Sequence, residues 1–265
     1  MEQPQAPQES LADIRREIDR IDDDILALVG QRLGIVDRVK AHKLRTAGAA
    51  ASPIRPGREA LILRRLIDKG RGQVPADLCF RIWRALISAA TLKQAPVRIH
   101  GSAVFFASAA AQTLLREYFG AAAFADHPGE AVAFEALVRN PGDLAAVAID
   151  GPWAKAWMAG HAGPTQVIGV LPFLTTQAIP RLLVFGHAAP EQTGTDETLV
   201  LTDGQLPRDF APQPLWQVKT GDVQLTSLPG FLSEHNAPLV GLARSNGSLA
   251  LSVLGRYPSP IEIGT

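Results

Sequence analysis

Two basic residues, Arg32 and Lys43, stand at a spacing that gives them chemical use. On an α-helix, eleven residues return a side chain to within about 20° of the same face and separate the two positions by roughly 16 Å. Long basic side chains leaning toward each other across such a gap suit a small anionic molecule. Arg15 precedes Arg32 by seventeen residues, about 100° off that face and roughly 25 Å along the axis, so it serves the same pocket only if a second copy of the chain supplies it. Cations on a helical flank equally suit the solvated edge of a coiled coil. What favours a site is that Arg32 interrupts an apolar stripe.

That stripe defines the first element. Leu11, Ile14, Ile18, Ile21, Ile25 and Leu28 recur at spacings of three and four, and the pattern resumes at Ile35 and Val39, which predicts one long amphipathic helix from Leu11 to Lys43. Ser10 with Asp13 reads as a variant capping box, residues 1 to 9 as a disordered lead-in, and residues 44 to 52 as a small-residue loop around Gly48. Pro53 and Pro56 forbid helix until just after them. A second helix is expected from Pro56 to Lys69 with Leu63, Leu66 and Ile67 on its apolar face, ended by Gly70 and Gly72. A third runs from near Pro75 to Gln94, with Ile82, Trp83, Leu86, Ile87 and Ala90 on one face. Gln94 falls back on that face as a polar amide. Three helices, one about 50 Å long, cannot wrap a core within one chain, so an interlocked helical homodimer is expected.

The charge balance narrows the ligand. The chain carries 26 Lys+Arg against 26 Asp+Glu, but residues 1–95 hold 17 against 12 and residues 96–265 hold 9 against 14. A net +5 in the first part suits a small anion, and the lack of a basic run or aromatic platform argues against nucleic acid. The opening is polar and acidic, and the most apolar stretch, near Ala103 to Leu115, is too short to span a bilayer, so no membrane partner and a cytoplasmic location are expected. One cysteine, Cys79, excludes an internal disulfide and a thiolate metal cluster. The six histidines show no metal-ligand spacing, and no cofactor or metal is expected.

From Pro96 the texture changes. Residues 97–106, 144–150, 165–171, 181–187 and 197–203 read as short apolar strands, separated by helical stretches at 111–120 and 129–140, which predicts an α/β domain. The tail from about Thr195 is richer in Gly, Pro and short strand signals, including residues 237–244 and 249–257. Asp150 with Gly151 at a strand end lines a ligand site or makes a plain turn.

The first helix, the run at residues 39–43, the stretch RPGREALILRRL and the third helix ending in Gln94 together resemble the all-helical chorismate mutase family over about residues 10–95. The resemblance implies a multidomain chain: an N-terminal all-α three-helix domain at 10–95 forming an interlocked dimer, then an α/β domain at 97–265. It implies that Arg15 is lent by the neighbouring chain, that Arg32 holds a carboxylate of chorismate, and that Lys43 reaches a carboxylate and the ether oxygen. Arg58 and Glu59 match an Arg-Glu pair in which the glutamate takes the substrate hydroxyl, and Gln94 matches the donor to the ether oxygen. Arg55 stands where some members have an acidic residue that contacts substrate, and Ala90 where many have a serine.

The implied chemistry fits the residue types. Rearrangement of chorismate to prephenate breaks a C–O bond while a C–C bond forms, so it needs a dianion held in its compact conformer and donors for charge growing on the ether oxygen. Bidentate arginines suit carboxylates, and a fixed cation with a neutral amide suits the oxygen. Two alternatives stand beside this reading: an isochorismate pyruvate-lyase on the same helices, or a non-catalytic helical dimer that regulates a shikimate-pathway enzyme. The second half resembles a truncated prephenate dehydratase with a tail that is a regulatory module at most. Pro180, Arg181 and Leu182 stand where such enzymes carry Thr-Arg-Phe, and the expected Glu-Asn-Ser is absent. An accessory or regulatory role without dehydratase activity is therefore expected of residues 97–265.

Overall fold

The computed structural model describes residues 10–46, 53–177, 179–233, 235, 237–240 and 250–263, without the side chains of Lys43, Leu44 and Thr46. The expected lead-in, residues 47–52 of the expected loop and residues 241–244 of the stretch at 237–244 lie outside the described residues, while Leu44–Thr46, expected in that loop, continue the first helix. Packing divides the chain into two units, residues 1–51 and 52–265.

The first unit is one helix, α1 (Leu11–Thr46), as its apolar periodicity predicts. The expected cap forms at its start. The Asp13 amide donates to Ser10 Oγ at 3.2 Å, while the Ser10 amide and hydroxyl donate to Asp13 Oδ2 at 3.3 and 2.5 Å. Along the stripe, Ile14, Ile18, Ile21 and Ile25 are 42%, 52%, 47% and 53% exposed.

The second unit opens with α2 (Pro56–Lys69) and α3 (Ala76–Gln94), at the expected bounds. Then come β1 (Arg98–Ser102), α4 (Ala103–Phe106), α5 (Ala109–Phe119), β2 (Ala123–His127), α6 (Glu130–Arg139), β3 (Leu144–Ala148), α7 (Trp153–Met158), β4 (Gln166–Leu171), β5 (Leu174–Thr175) and β6 (Leu182–Gly186). The chain continues through β7 (Asp196–Thr202), β8 (Trp216–Thr220), β9 (Val223–Pro229), β10 (Leu251–Pro258) and β11 (Ile261–Glu262). Nine strands form one mixed sheet in the order β2-β1-β3-β6-β4-β10-β7-β9-β8, with β5 and β11 as a separate pair. β1, β2 and β3 run parallel, β6 is antiparallel to both β3 and β4, and β7 to β10 make an antiparallel half.

Strand alternation sorts the core into two layers. Leu144, Ala146, Leu182 and Val184 point to one face, where Leu63 of α2, Ile87 of α3 and Leu115 of α5 meet them. Ala145, Val147, Leu183 and Phe185 point to the other, against Phe134 of α6 and Trp153 of α7. Leu63 is 1% exposed, a burial that contributes about 1.5–3 kcal/mol. Thus α2 and α3 are part of a helical layer on the α/β sheet. The sequence resemblance divides the chain near residue 95, whereas packing divides it near 51, because the faces of α2 and α3 are buried in this layer.

Three local expectations are corrected. Residues 97–106 are not strand throughout: the Ser102 hydroxyl accepts the Phe105 amide at 3.2 Å and turns Ala103–Phe106 into helix. On α3 the expected Ile87 and Ala90 are buried, whereas Ile82, Trp83 and Leu86 are not. Ile82 is 42% exposed, and the interior holds Phe80, Arg84, Ile87 and Ser88. On α2 the buried face is Gly57, Glu59, Ala60 and Leu63, with Leu66 and Ile67 half-buried.

Candidate active-site residues

Arg15 and Arg32 lie on α1, Arg15 exposed and Arg32 half-buried. Burial lowers the Arg32 pKa from its ordinary value. Lys43 is helical, and its side chain lies outside the described residues.

The other four residues belong to the second unit. Arg55, Arg58 and Glu59 come together at the start of α2, because Pro56 sets the first helical turn and a glutamate in that turn faces the helix N-terminus. Glu59 Oε1 accepts the Arg55 amide at 3.3 Å. Its other oxygen accepts Arg84 Nη1 at 2.7 Å, in a pair whose side chains are 10% and 2% exposed. Arg84 is fully engaged: Nε and Nη2 donate to the Tyr118 carbonyl at 2.9 and 2.7 Å, and Nη2 donates to Ser88 Oγ at 3.3 Å. The guanidinium also lies over the Tyr118 ring, 3.9 Å from its centroid. Burial pushes the Tyr118 phenol up to about 12, against the downward pull of Arg84. A cavity of about 10 Å³ lies beside Glu59, Arg84 and Ser88, and one of about 20 Å³ between Glu59 and Tyr118, each too small for a substrate. The carboxylate expected to take a substrate hydroxyl is therefore enclosed against the α5 side of the α/β layer.

Arg55 is ion-paired with Glu191 across 136 positions of sequence, Nε donating to Oε1 at 2.9 Å, and Glu191 Oε2 accepts the Arg58 amide at 3.2 Å. An acid from the α/β domain thus caps α2, which lacks a side-chain cap of its own. Gly57 permits the approach, since a Cβ there would lie 2.6 Å from that of Glu191. The Arg58 side chain is exposed. Gln94, at the far end of α3, donates Nε2 to the Ala90 carbonyl at 3.1 Å, and its buried Oε1 has no hydrogen-bond partner among the described residues.

Sequence reasoning missed Arg84, Tyr118 and Glu191. The signal for Arg84 was present: Phe80, Arg84 and Ser88 follow one another at intervals of four, so they share one face of the helix. Glu191 had no local signal, because its partners are remote in sequence.

A helical region followed by a mixed α/β sheet is the class that this fold defines. Residues 14–95 match the family model for chorismate mutase type II, which covers all seven residues singled out for the site. A 96-residue stretch is 27% identical to a bifunctional chorismate mutase/prephenate dehydratase of Pseudomonas aeruginosa. That stretch is 36% of this chain and 26% of the relative, so the match spans about a quarter of the relative's length. Among solved structures, a prephenate dehydratase from Streptococcus mutans overlays with a TM-score of 0.35 at 13% identity, covering 62% of this chain and 98% of that one. GqqA, described as a novel type of quorum quenching acylase, gives 0.36 at 12% identity, covering 62% and 94%.

Proposed function

We propose that this chain is a chorismate mutase, an isomerase that rearranges chorismate to prephenate in aromatic amino-acid biosynthesis, with residues 10–95 as the catalytic module and residues 97–265 in an accessory or regulatory role. The observation that carries this is the family match over 14–95, which contains Arg15, Arg32, Lys43, Arg55, Arg58, Glu59 and Gln94 together. Arg32 and the neighbouring chain's Arg15 hold the two carboxylates, while Lys43 and Gln94 stabilise charge on the ether oxygen. Gln94 Nε2 gives one of its two N–H groups to the Ala90 carbonyl, which leaves the second to donate to the ether oxygen. A cytoplasmic homodimer accompanies the reading, because the apolar stripe of α1 is too exposed for a chain that remains single. No dehydratase activity is expected, since Pro180 offers no hydroxyl where such enzymes carry threonine.

Incubating the purified chain with chorismate and identifying the product tests this. Prephenate is expected, and Arg32→Ala is expected to lose on the order of 10²–10³ in rate. Release of pyruvate from isochorismate would instead mark the lyase.

One specific observation favours a second reading, a non-catalytic helical dimer that binds a partner enzyme. Both oxygens of Glu59 are already engaged, and Arg55 is committed to Glu191. Absence of turnover together with binding of a chorismate analogue would decide for it.

A further inference from the structure

A separate cavity lies in the α/β part of the second unit, away from the helices matched by the family model. From β1 the chain crosses outward to β2 and then returns to the opposite side of β1 as β3. The carboxyl ends of β1 and β3 therefore part at a topological switch point, where open α/β sheets bind small ligands. A cavity of about 570 Å³ opens there, within the size range of small-molecule sites.

Its walls are apolar, with Phe105, Leu114 and Leu182 among them, and three charged residues stand on its lining: Arg181, Asp150 and Glu130. Two of these are brought to one rim by the sheet itself. The Ile149 amide donates to the Arg181 carbonyl at 2.9 Å, which sets Asp150, the next residue, beside the start of β6. The Asp150–Gly151 turn is pinned from outside, since Thr220 Oγ1 donates to the Gly151 carbonyl at 2.8 Å. The Asp150 carboxylate is exposed. Arg181 is also exposed, and its Nε makes one long contact to Gln177 Oε1 at 3.4 Å. Glu130, also on the lining, accepts the Ser102 hydroxyl at 2.8 Å.

One cation and two acids do not suit a dianion, which would meet repulsion from both carboxylates. A ligand bearing one carboxylate, one ammonium and an apolar body pairs with Arg181 and Asp150, while Glu130 keeps its hydrogen bond from Ser102. We propose that this cavity is a binding site for a free α-amino acid with an apolar side chain, its carboxylate on Arg181, its ammonium on Asp150, and its side chain over Phe105 and Leu114. The site is independent of the proposed rearrangement and is tested without turnover.

The test is calorimetric titration of the full chain with L-leucine and L-phenylalanine, beside 3-phenylpropionate and phenethylamine, each of which lacks one charge. Saturable one-to-one binding of an amino acid is expected, with both analogues at least tenfold weaker. Asp150→Asn and Arg181→Met are expected to weaken it at least tenfold each, without a change in circular dichroism or melting temperature, because both side chains are exposed. As a second, charge-neutral variant, Leu114→Trp is expected to abolish binding by filling the cavity. No saturable binding by either amino acid overturns the proposal, as does binding by the analogues at equal strength or binding unmoved by both charge variants.

Discussion

The Glu59–Arg84 pair shows how one residue can carry two opposed readings. A glutamate in the first turn of a helix next to an arginine reads as a substrate ligand by pattern, yet its carboxylate here meets an arginine that is 2% exposed. Removing one partner of a buried pair leaves an uncompensated charge, so Arg84→Met is expected to lower stability by about 3–5 kcal/mol in urea unfolding of the full chain. A loss under 1 kcal/mol would mean that solvent reaches Glu59 freely. A second residue couples stability to pH. Burial first, then His100 at 2.9 Å and Arg139, hold His127 below the usual histidine range, with Asp126 opposing, while His100 itself contacts Asp143 at 3.1 Å. Protonation of His127 therefore favours the unfolded chain. Its contribution is complete above the unfolded value of about 6.5 and is lost as pH falls through the lower folded value. Melting temperature measured from pH 7.5 to 5 is expected to fall on the acid side, and less steeply in His127→Asn.

At the scale of elements, what was legible in the sequence followed periodicity. All three N-terminal helices lie where repeats of three and four with proline and glycine punctuation place them. The central strands β3, β4, β6 and β7 were visible as short apolar runs. β2, reading Ala-Phe-Ala-Asp-His, and β8, reading Trp-Gln-Val-Lys-Thr, were not, because edge strands are half solvated and carry too little apolar signal. The direction of β6 was equally hidden, since pairing is a property of the sheet and not of the strand. One glycine does have a mechanical reason. Gly255 joins β10 to β4, and a Cβ there would overlap the Val167 backbone. Gly255→Ala is expected to cost at least about 3 kcal/mol, read as a lower urea midpoint, whereas Gly129→Ala, with open space around it, should cost far less. For α1, replacing Ile21 and Ile25 together by Asp is expected to convert a sedimenting dimer into monomer. An unchanged sedimentation coefficient would remove the stripe as the dimer surface.

For the molecule as a whole, the boundary drawn by sequence likeness and the boundary drawn by packing fall some forty residues apart, near 95 and near 51. The intervening helices fall inside the matched stretch and also inside the unit that carries the sheet. Their positions follow the mutase pattern, while their interiors are fitted to a sheet: Arg64 of α2 donates to Thr193 Oγ1 at 2.9 Å and to the carbonyls of Thr195 and Ser259 at 2.9 and 2.7 Å. Arg84 reaches the Tyr118 carbonyl at the end of α5, and Gly120, in the left-handed region at φ 59, closes that end against Ser88. An N-terminal gene fragment ending at codon 95 would therefore not yield a portable module. It would expose the faces of Ala60, Leu63 and Ile87, and take from Arg64 its acceptors on Thr193, Thr195 and Ser259 and from Arg84 the Tyr118 carbonyl, so such a fragment is expected to aggregate or to lose helicity in circular dichroism. A soluble, fully helical fragment would show that the graft between the two halves is dispensable.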